Sequence, residues 1–265
     1  MSEEFEAEIG IIGGTGIYDP GMIKNQKKIK VYTPFGRTSD LVTIGIFKDK
    51  RVAFIPRHGI NHEIPPHKVN SRANIWALKE LGVTRIIAPS AVGSLREDYK
   101  PGEFVIADQI IDRTKDRADT YYEEGKVCHI SLADPFCDEL REIFINEASK
   151  LNLEHHKTGT YVCIQGPRFS TKAESNMFRQ WGADIIGMTV YPECVLAREL
   201  ELCYVTVTTI TDYDVWAEKP VTAEEVIETM RRNIDNLRNL ISNAINNIPQ
   251  IRHCSCGESL HDAML

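Results

Sequence analysis

The sequence predicts an α/β fold in which helices flank a mixed central β-sheet. Short β-branched runs alternate along the chain with segments of helical periodicity, which is the pattern of strands and helices that pack in layers. Two runs, at 41–47 and 51–56, follow each other so closely that they predict an antiparallel hairpin, so we expect a mixed sheet. With 265 residues, of which 42% are hydrophobic, the chain can bury one substantial core, which predicts a single domain over residues 1–265.

Seven runs are predicted strands, and two helices carry their own start signals. In chain order the strands are EIGIIGG, LVTIGIF, RVAFIP, RIIAPS, YVCIQG, DIIGM and CYVTVTTI. Thr171 followed by Glu174 is a capping box, and the helix that it opens is predicted to end at Gly182. Thr222 followed by Glu225 opens a long final helix. Its apolar residues recur at helical spacing and are expected to face the core: Val226, Met230, Ile234, Leu237, Ile241 and Ile245.

Charge and composition exclude several function classes. The formal net charge is −7 and the 31 basic residues are dispersed, which argues against a nucleic-acid-binding surface. A small anionic ligand remains compatible with this charge because a few local donors can hold it. The chain has no run of 18 uninterrupted apolar residues that would span a bilayer. Because its first ten residues are acidic and lack the apolar run of a secretory signal, we expect a cytoplasmic protein.

The seven cysteines predict neither a secreted disulfide scaffold nor a metal site. They are dispersed, and they lack the paired C-x2-C spacing that is typical of tetrahedral zinc. The exception is Cys254 and Cys256, which lie one residue apart in a C-terminal tail (249–265) that we expect to be the most mobile segment. Their spacing favours a strained disulfide or a redox pair over a metal site, and two free thiols are an equally good interpretation.

Glycines and basic residues follow two of the predicted strands. In the GGTG segment at 13–16, backbone N–H groups and the Thr15 hydroxyl can cradle a phosphate, but a tight turn also requires glycine. Arg57 and His58 follow RVAFIP, at a strand end where open α/β sheets place ligand-binding groups. Arg57 can grip two phosphate oxygens, and His58 can contact phosphate or a sugar hydroxyl. Ordinary surface and turn contacts are the alternative for both residues.

Small and polar residues end another strand at 90–94. Ser90 offers a hydroxyl, and the residues that follow it through Gly93 and Ser94 leave backbone donors available. A generic turn after a strand also explains Gly93 and Ser94. Three such strand ends that converge on one anion would be a more specific signal than any one of them.

An aromatic loop and a pair of carboxylates complete the candidate chemistry. Phe169 lies in a loop where its ring can hold a planar base with Ser170 as a polar neighbour, or it can act as a hydrophobic staple for the next helix. Asp212 and Asp214 follow CYVTVTTI, where burial and like charge raise a carboxyl pKa toward neutrality. Such a group can protonate a ring nitrogen, although two aspartates that cap a turn are the alternative.

Ten segments spread over the chain share the motifs of one enzyme family. They are IGIIGGTGIYDPG, TPFGRTSD, PRHG, RANIWALKELGV, APSAVGSL, IADQIIDRT, ADPFC, QGPRFSTKAES, ADIIGMT and TDYDVW. Together they resemble the methylthioadenosine phosphorylase branch of the trimeric purine nucleoside phosphorylases, over about residues 8–248 in one order. The similarity is closest to archaeal members that end in a C-x-C element, which corresponds here to Cys254 and Cys256.

This resemblance implies a purine nucleoside phosphorylase-like α/β fold, a homotrimer or a dimer of trimers, and no metal or organic cofactor. The implied phosphate ligands are Thr15, Arg57, His58, Ser90, Ala91 and Thr189. The implied purine and ribose site consists of Phe169, Ser170, Met188, Asp212 and Asp214. The residues implied around the 5' substituent are His129, contributed across a subunit interface, Val226 and Ile227.

The resemblance also implies the reaction. It is the phosphorolysis of 5'-methylthioadenosine, and of adenosine as well, in purine and methionine salvage. Phosphorylases that prefer 6-oxopurines carry asparagine and glutamate in the base pocket, whereas Asp212 and Ser170 are similar to the branch that accepts adenine. A carboxylate would repel a keto oxygen at that position. Asp212 is the implied catalytic acid, which stabilises the departing base at N7 while phosphate attacks the cationic ribose.

Three other functions are compatible with the same residues. The first is a phosphorylase of the same fold with broad specificity for inosine and guanosine. The second is a binding protein for nucleosides or phosphate that does not catalyse a reaction. The third is a hydrolase that uses water in place of phosphate.

The resemblance extends to the cysteines. Cys137 and Cys203 fall where archaeal relatives pair cysteines, and Cys194 lies close to another such position. Because intracellular disulfides are rare outside hyperthermophiles, the resemblance implies disulfide bonds and a heat-adapted source.

Overall fold

The chain folds into a single-domain α/β structure with a mixed central sheet flanked by helices, as the sequence predicts. The structure is a computed structural model that describes residues 5–14, 23–217 and 222–264. Its strands are β1 (Ile9–Gly13), β2 (Lys24–Ile29), β3 (Val42–Phe47), β4 (Lys50–Pro56), β5 (Arg85–Ser94), β6 (Phe104–Ile106), β7 (Gln109–Arg113), β8 (His155–His156), β9 (Thr160–Ile164), β10 (Ile185–Gly187) and β11 (Cys203–Asp212). Its helices are α1 (Ser71–Glu80), α2 (Asp138–Lys150), α3 (Lys172–Gln180), α4 (Val190–Glu199) and α5 (Ala223–Asn247).

The sheet is organised around β5. Its main path runs β2-β3-β4-β1-β5-β10-β9-β7, while β11 pairs with β5 and β6, and β6 pairs with β8. β1 runs parallel to the first residues of β5, and β10 runs antiparallel to its last two residues, Gly93 and Ser94. β11 runs parallel to nearly the whole of β5, with Cys203 opposite Arg85 at one end and Asp212 opposite Gly93 at the other.

The predicted hairpin and both predicted capping boxes are confirmed. β3 and β4 are antiparallel, and the two residues between them, Lys48 and Asp49, both have positive φ, as a tight type I′ turn requires. The side chain of Thr171 accepts from the backbone N–H of Glu174, and α3 ends shortly before Gly182, whose φ is +81°. Thr222 caps α5 in the same way.

Four strands have no counterpart in the sequence prediction. β2 has the sequence KNQKKI, which lacks an apolar alternation, and it forms by pairing with β3 at the edge of the main path. Lysines at a sheet edge oppose further pairing with other chains, which explains a polar strand at this position. β6, β7 and β8 contain five residues at most, which is too short for a periodic signal.

The prediction for α5 is correct only for its second half. Leu237, Ile241 and Ile245 are buried in the core, where each apolar side chain stabilises the fold by about 1.5–3 kcal/mol. In the first half, Val226 and Met230 are half-buried and line a cavity. Helical periodicity indicates which face is apolar, but it does not distinguish a core from a pocket wall.

The cysteines differ from the expected pairing, because all seven are free thiols in the structure. The tail expected to be mobile is docked on the body of the protein. Nη1 of Arg252 donates to the carbonyl of Glu201 at 2.7 Å, and Ser259 Oγ donates to the carbonyl of Arg198 at 2.7 Å. Among the described residues, the helices are all too short or too polar to cross a membrane.

Candidate active site

A cavity of about 820 Å³ opens where several strands end. Gly14 follows β1, Arg57 follows β4, and Asp212 ends β11, while residues 89–93 of β5 form one wall. The sheet therefore brings together segments that are far apart in sequence. Eleven of the predicted site residues line this cavity: Arg57, His58, Ser90, Ala91, Phe169, Met188, Thr189, Asp212, Asp214, Val226 and Ile227.

Of the other three predicted residues, Ser170 and His129 are not among those that line the cavity. Thr15 lies outside the described residues. Ser170 is buried, and its Oγ has no hydrogen-bond partner in the part of the chain that the structure describes. His129 belongs to a segment that pairs with the tail, where its backbone N–H donates to the carbonyl of Ala263 at 2.7 Å.

Hydroxyl groups from three elements meet beside the cavity, and two of them, those of Ser90 and Thr189, belong to residues that line it. Ser90 Oγ lies 3.0 Å from Oγ1 of Thr189 and 3.3 Å from the Tyr161 hydroxyl. Thr189 is the N-cap residue of α4, but its side chain makes no capping bond, so its hydroxyl stays available to a ligand. Tyr161 approaches because Gly187 has no side chain; a Cβ there would collide with the Tyr161 hydroxyl. This hydroxyl cluster (Ser90, Tyr161 and Thr189) can bind an oxyanion.

Arg57 lines the same cavity, but most of its donors are already occupied. Nε donates to Oε1 of Glu193 at 2.6 Å and Nη2 to Oε2 at 3.1 Å. Nη2 also donates to the carbonyl of Ile12, and Nη1 donates to that of Pro89. Among the described residues, one N–H on Nη1 is left without an acceptor. In this arrangement Arg57 therefore cannot donate to two phosphate oxygens through two nitrogen atoms, as predicted. Arg57 instead provides one donor and a buried positive charge.

Glu193 was missed by the sequence analysis. Its carboxylate is buried, binds Arg57, and accepts from the Tyr204 hydroxyl at 2.8 Å. Burial alone would lower the pKa of Arg57, but the Glu193 carboxylate raises it above its ordinary value. A sequence signal did exist, because an acidic residue in the apolar run VYPECVLA must find a partner if that run is buried.

His58 is positioned by one hydrogen bond. Its Nδ1 lies 2.9 Å from the carbonyl of Ile64, which only accepts, so Nδ1 carries a proton. Burial, together with the positive charge of Arg57, lowers the pKa of His58 to about 4. The ring is therefore neutral at pH 7, and Nε2 carries a lone pair. In this state His58 accepts a hydrogen bond from a sugar or phosphate hydroxyl and does not donate one.

Two buried carboxyl groups lie at the end of β11. Thr211 Oγ1 donates to Oδ2 of Asp212, and the backbone N–H of Asp214 donates to Oδ1, both at 2.7 Å. Burial raises the pKa of Asp212 to about 6, and these two hydrogen bonds limit the rise. Burial also raises the pKa of Asp214, whose Oδ2 has no hydrogen-bond partner among the described residues. Two buried carboxyl groups with raised pKa values thus line the cavity.

Phe169 and the first half of α5 supply the apolar surface of the cavity. The Phe169 side chain is 38% exposed in a single chain, so its ring is not buried as a hydrophobic staple would be. Val226, Met230 and Ile234 of α5 line the same cavity, as does the exposed Ile227. An apolar ligand group fits this wall.

Arg117 was also missed, and it holds together two loops of the site. Nη1 donates to the carbonyls of Met188 and Tyr191, and Nη2 donates to that of Gln165 at 2.9 Å. It therefore ties the segment that precedes Phe169 to the segment that contains Met188 and Thr189. Single basic residues in loops have no distinguishing sequence pattern, so the sequence offered no signal for this role.

The family model described as "Phosphorylase superfamily" matches residues 8–246. The chain belongs to the phosphorylase superfamily. An S-methyl-5'-thioadenosine phosphorylase of Nitrosopumilus maritimus is 55% identical over 260 residues, which cover 98% of this chain and 99% of the relative.

Solved structures of superfamily members have the same fold. A methylthioadenosine phosphorylase from an antarctic soil metagenomic library has a TM-score of 0.93 at 42% identity, covering 98% of this chain and 93% of that one. The methylthioadenosine phosphorylase of Schistosoma mansoni, in complex with adenine, has a TM-score of 0.87 at 39% identity and covers 91% of each chain.

Proposed function

We propose that the protein is a pentosyltransferase that cleaves 5'-methylthioadenosine with phosphate, giving adenine and 5-methylthioribose 1-phosphate, and that it also cleaves adenosine. The observation that carries this proposal is that Asp212 lines the same cavity as Ser90 and Thr189 of the hydroxyl cluster. An acid for a leaving base and a cradle for an attacking oxyanion thus stand within reach of one substrate. The names of the relatives support methylthioadenosine as the substrate.

The oxyanion end suits phosphate. Ser90, Ala91 and Thr189 supply hydroxyl and backbone donors, and the buried Arg57 supplies charge and one N–H. Thr15 is the further phosphate ligand of this proposal. A phosphate held there stabilises positive charge that develops on the ribose as the glycosidic bond stretches, and it then attacks C1'. Neutral His58 accepts from a hydroxyl of the sugar or of phosphate through Nε2.

The carboxyl end suits the departing base. Asp212, with its pKa raised to about 6, retains a proton or takes one readily near neutral pH, and it donates to purine N7 as negative charge moves onto the ring. The free Oδ2 of Asp214 and the unpartnered hydroxyl of Ser170 are buried polar atoms that need partners. A 6-amino group donates to the carboxylate of Asp214, which repels a 6-keto oxygen, so adenine is favoured over hypoxanthine or guanine.

The apolar wall on α5 suits a methylthio group. Val226, Ile227 and Met230 offer no hydrogen-bonding side-chain groups to a 5'-hydroxyl, so adenosine loses solvation there that the thioether does not need. We therefore expect methylthioadenosine to be preferred over adenosine. A ribose packed on Met188 would connect this wall to the base site.

The oligomeric state is part of the proposal. Phe169, which lines the cavity, is 38% exposed in one chain, and His129 does not line the chain's own cavity. A homotrimer or a dimer of trimers, in which each subunit contributes His129 toward the 5' substituent of its neighbour, covers the open side. Mass photometry of the wild type measures the number of subunits directly. A crystal structure in which His129 contacts the cavity of a neighbouring subunit would test its contribution to the site.

The remaining features follow the same proposal. The chemistry uses phosphate as co-substrate and no metal or organic cofactor, and the enzyme acts in the cytoplasm. Cys254 and Cys256 support an origin in the C-x-C-bearing archaeal branch. The inference of a heat-adapted source rested on disulfides, and seven free thiols remove that support.

The decisive experiment measures adenine release from methylthioadenosine with and without phosphate. We expect release that depends on phosphate and yields 5-methylthioribose 1-phosphate. Release without phosphate would mean a hydrolase, and binding without release would mean a binding protein. Inosine and guanosine run in parallel test the rival specificity; turnover of either that equals turnover of methylthioadenosine contradicts the assignment to adenine nucleosides.

A further inference from the structure

Four cysteines from three distant parts of the chain meet far from the cavity. They are Cys137, Cys203, Cys254 and Cys256, and their Sγ atoms all lie within 4.8 Å of one another. Three of the four residues are buried, and Cys254 is half-buried. Metal-binding patterns such as C-x2-C join cysteines that are close together along the chain, so they do not reveal a cluster that the fold assembles.

We propose that this four-cysteine cluster is a structural zinc site. Zinc prefers four thiolates in a tetrahedron with Zn–S distances of about 2.3 Å, which sets the sulfurs about 3.8 Å apart. The Sγ atoms of Cys203 and Cys254 are 3.3 Å apart, longer than a disulfide bond and close to that tetrahedral edge. Two disulfides would need only pairwise proximity, whereas one ion requires every sulfur to be near the other three, as observed.

The surroundings favour thiolates. Cys137 is the N-cap residue of α2, a helix of 13 residues, and its side chain makes no capping bond, so the helix N-terminus favours negative charge at its sulfur. Four thiolates and Zn²⁺ carry a net charge of −2, which needs a nearby cation. Arg252 provides it: its guanidinium packs against Gly257, next to Cys256, and also donates to the carbonyl of Glu201.

The site would be structural because protein sulfur fills all four ligand positions, leaving none for substrate or water. Its effect would be to fasten the tail, through Cys254 and Cys256, to the start of β11 and the start of α2. Cys203 and Asp212 are the two ends of β11, nine residues apart in sequence, and this separates them by about 30 Å. Loss of the metal should therefore lower stability and leave the chemistry of the cavity unchanged.

The test is metal analysis of the full-length protein, purified under nitrogen without chelator, with two matched variants. Cys203→Ser removes a ligand, and Cys194→Ser makes the same change at an equally buried cysteine outside the cluster. We expect about one zinc per chain in the wild type and in Cys194→Ser, and little in Cys203→Ser. A mercurial reagent should release the wild-type zinc and lower the Tm by about 5 °C or more.

Three outcomes overturn the proposal. The first is an intact mass and thiol titration that reveal disulfides among the four cysteines. The second is a fully reduced protein that takes up no Zn²⁺ when titrated with the metal. The third is iron at the site, visible as a coloured protein, in place of zinc. Phosphorolysis is not part of the readout, so failure here leaves the proposed function untouched.

Discussion

The Nε atom of Arg57 lies 2.6 Å from Oε1 of Glu193, and the two side chains are only 3% and 1% exposed. Removing one member of a buried ion pair leaves the other charge without compensation, which costs about 3–5 kcal/mol. We therefore expect Glu193→Ala to lower the unfolding free energy by about that amount, measured by urea denaturation. Asp98→Ala is the control, because its partner Arg96 is on the surface, and it should cost less than about 1 kcal/mol. Equal losses in the two variants would contradict the buried-pair interpretation.

Asp212 should control turnover. The proton of Asp212 stabilises the negative charge that develops on the departing purine. Asp212→Ala removes it and should lower kcat on methylthioadenosine by about 10²- to 10⁴-fold. Because the pKa of Asp212 is raised to about 6, kcat/KM of the wild type should fall as pH rises above that value. Asp212→Asn should lack this limb of the pH profile. Unchanged turnover in Asp212→Ala would remove Asp212 from the mechanism.

The ionised carboxyl group of Asp212 should also lower the free energy of unfolding at neutral pH. Its folded pKa of about 6 exceeds the ordinary value of 3.8, so the folded state binds more protons between these pH values. Its contribution is full below about pH 4 and is lost as pH rises through 6, a difference of about 3 kcal/mol. The Tm of Asp212→Asn, relative to that of the wild type, should therefore be higher at pH 7.5 than at pH 4.5. A Tm difference that does not change with pH would exclude this linkage.

The contribution of His58 to stability should depend on pH in the opposite direction to that of Asp212. Its folded pKa of about 4 lies below the ordinary value of 6.5, so the unfolded state binds more protons in this window. Its contribution to stability is present above about pH 6.5 and declines as pH falls toward 4. His58→Gln should remove that decline, so the Tm difference between variant and wild type should shift in favour of the variant at low pH. His253→Gln, a change in the exposed part of the tail segment, is the control and should leave the wild-type profile unaltered.

Gly93 should be intolerant of a side chain. A Cβ there would lie 2.9 Å from Oδ1 of Asp212, 3.1 Å from Cγ2 of Ile186 and 3.3 Å from Cβ of Asp214. Gly93→Ala must displace these groups, and small misplacements of catalytic groups cost up to about 10²-fold in rate. We expect kcat/KM for methylthioadenosine to fall by about 10-fold or more with the secondary structure, followed by circular dichroism, retained. Wild-type kinetics in Gly93→Ala would mean that the aspartates need no such close packing.

Several elements were predictable because their signals are local. The seven β-branched runs are strands, the hairpin turn joins β3 and β4, and Thr171 and Thr222 cap their helices. Each of these features is decided by residues a few positions apart. β2 was not predictable, since KNQKKI becomes a strand only by pairing with β3. Arg117 and Glu193 escaped notice because their roles depend on partners that lie up to 136 residues away in the sequence.

The sequence by itself determined the fold class, the helix starts, and the strand ends that carry Arg57, Ser90 and Asp212, because short-range periodicity and capping are written in neighbouring residues. Only the tertiary structure decided that Arg57 gives two of its donors to Glu193, and that the sulfurs of four separated cysteines lie within 4.8 Å of one another. Both facts depend on distances between segments far apart along the chain. Those distances are set by how the sheet and helices pack, which local patterns do not encode.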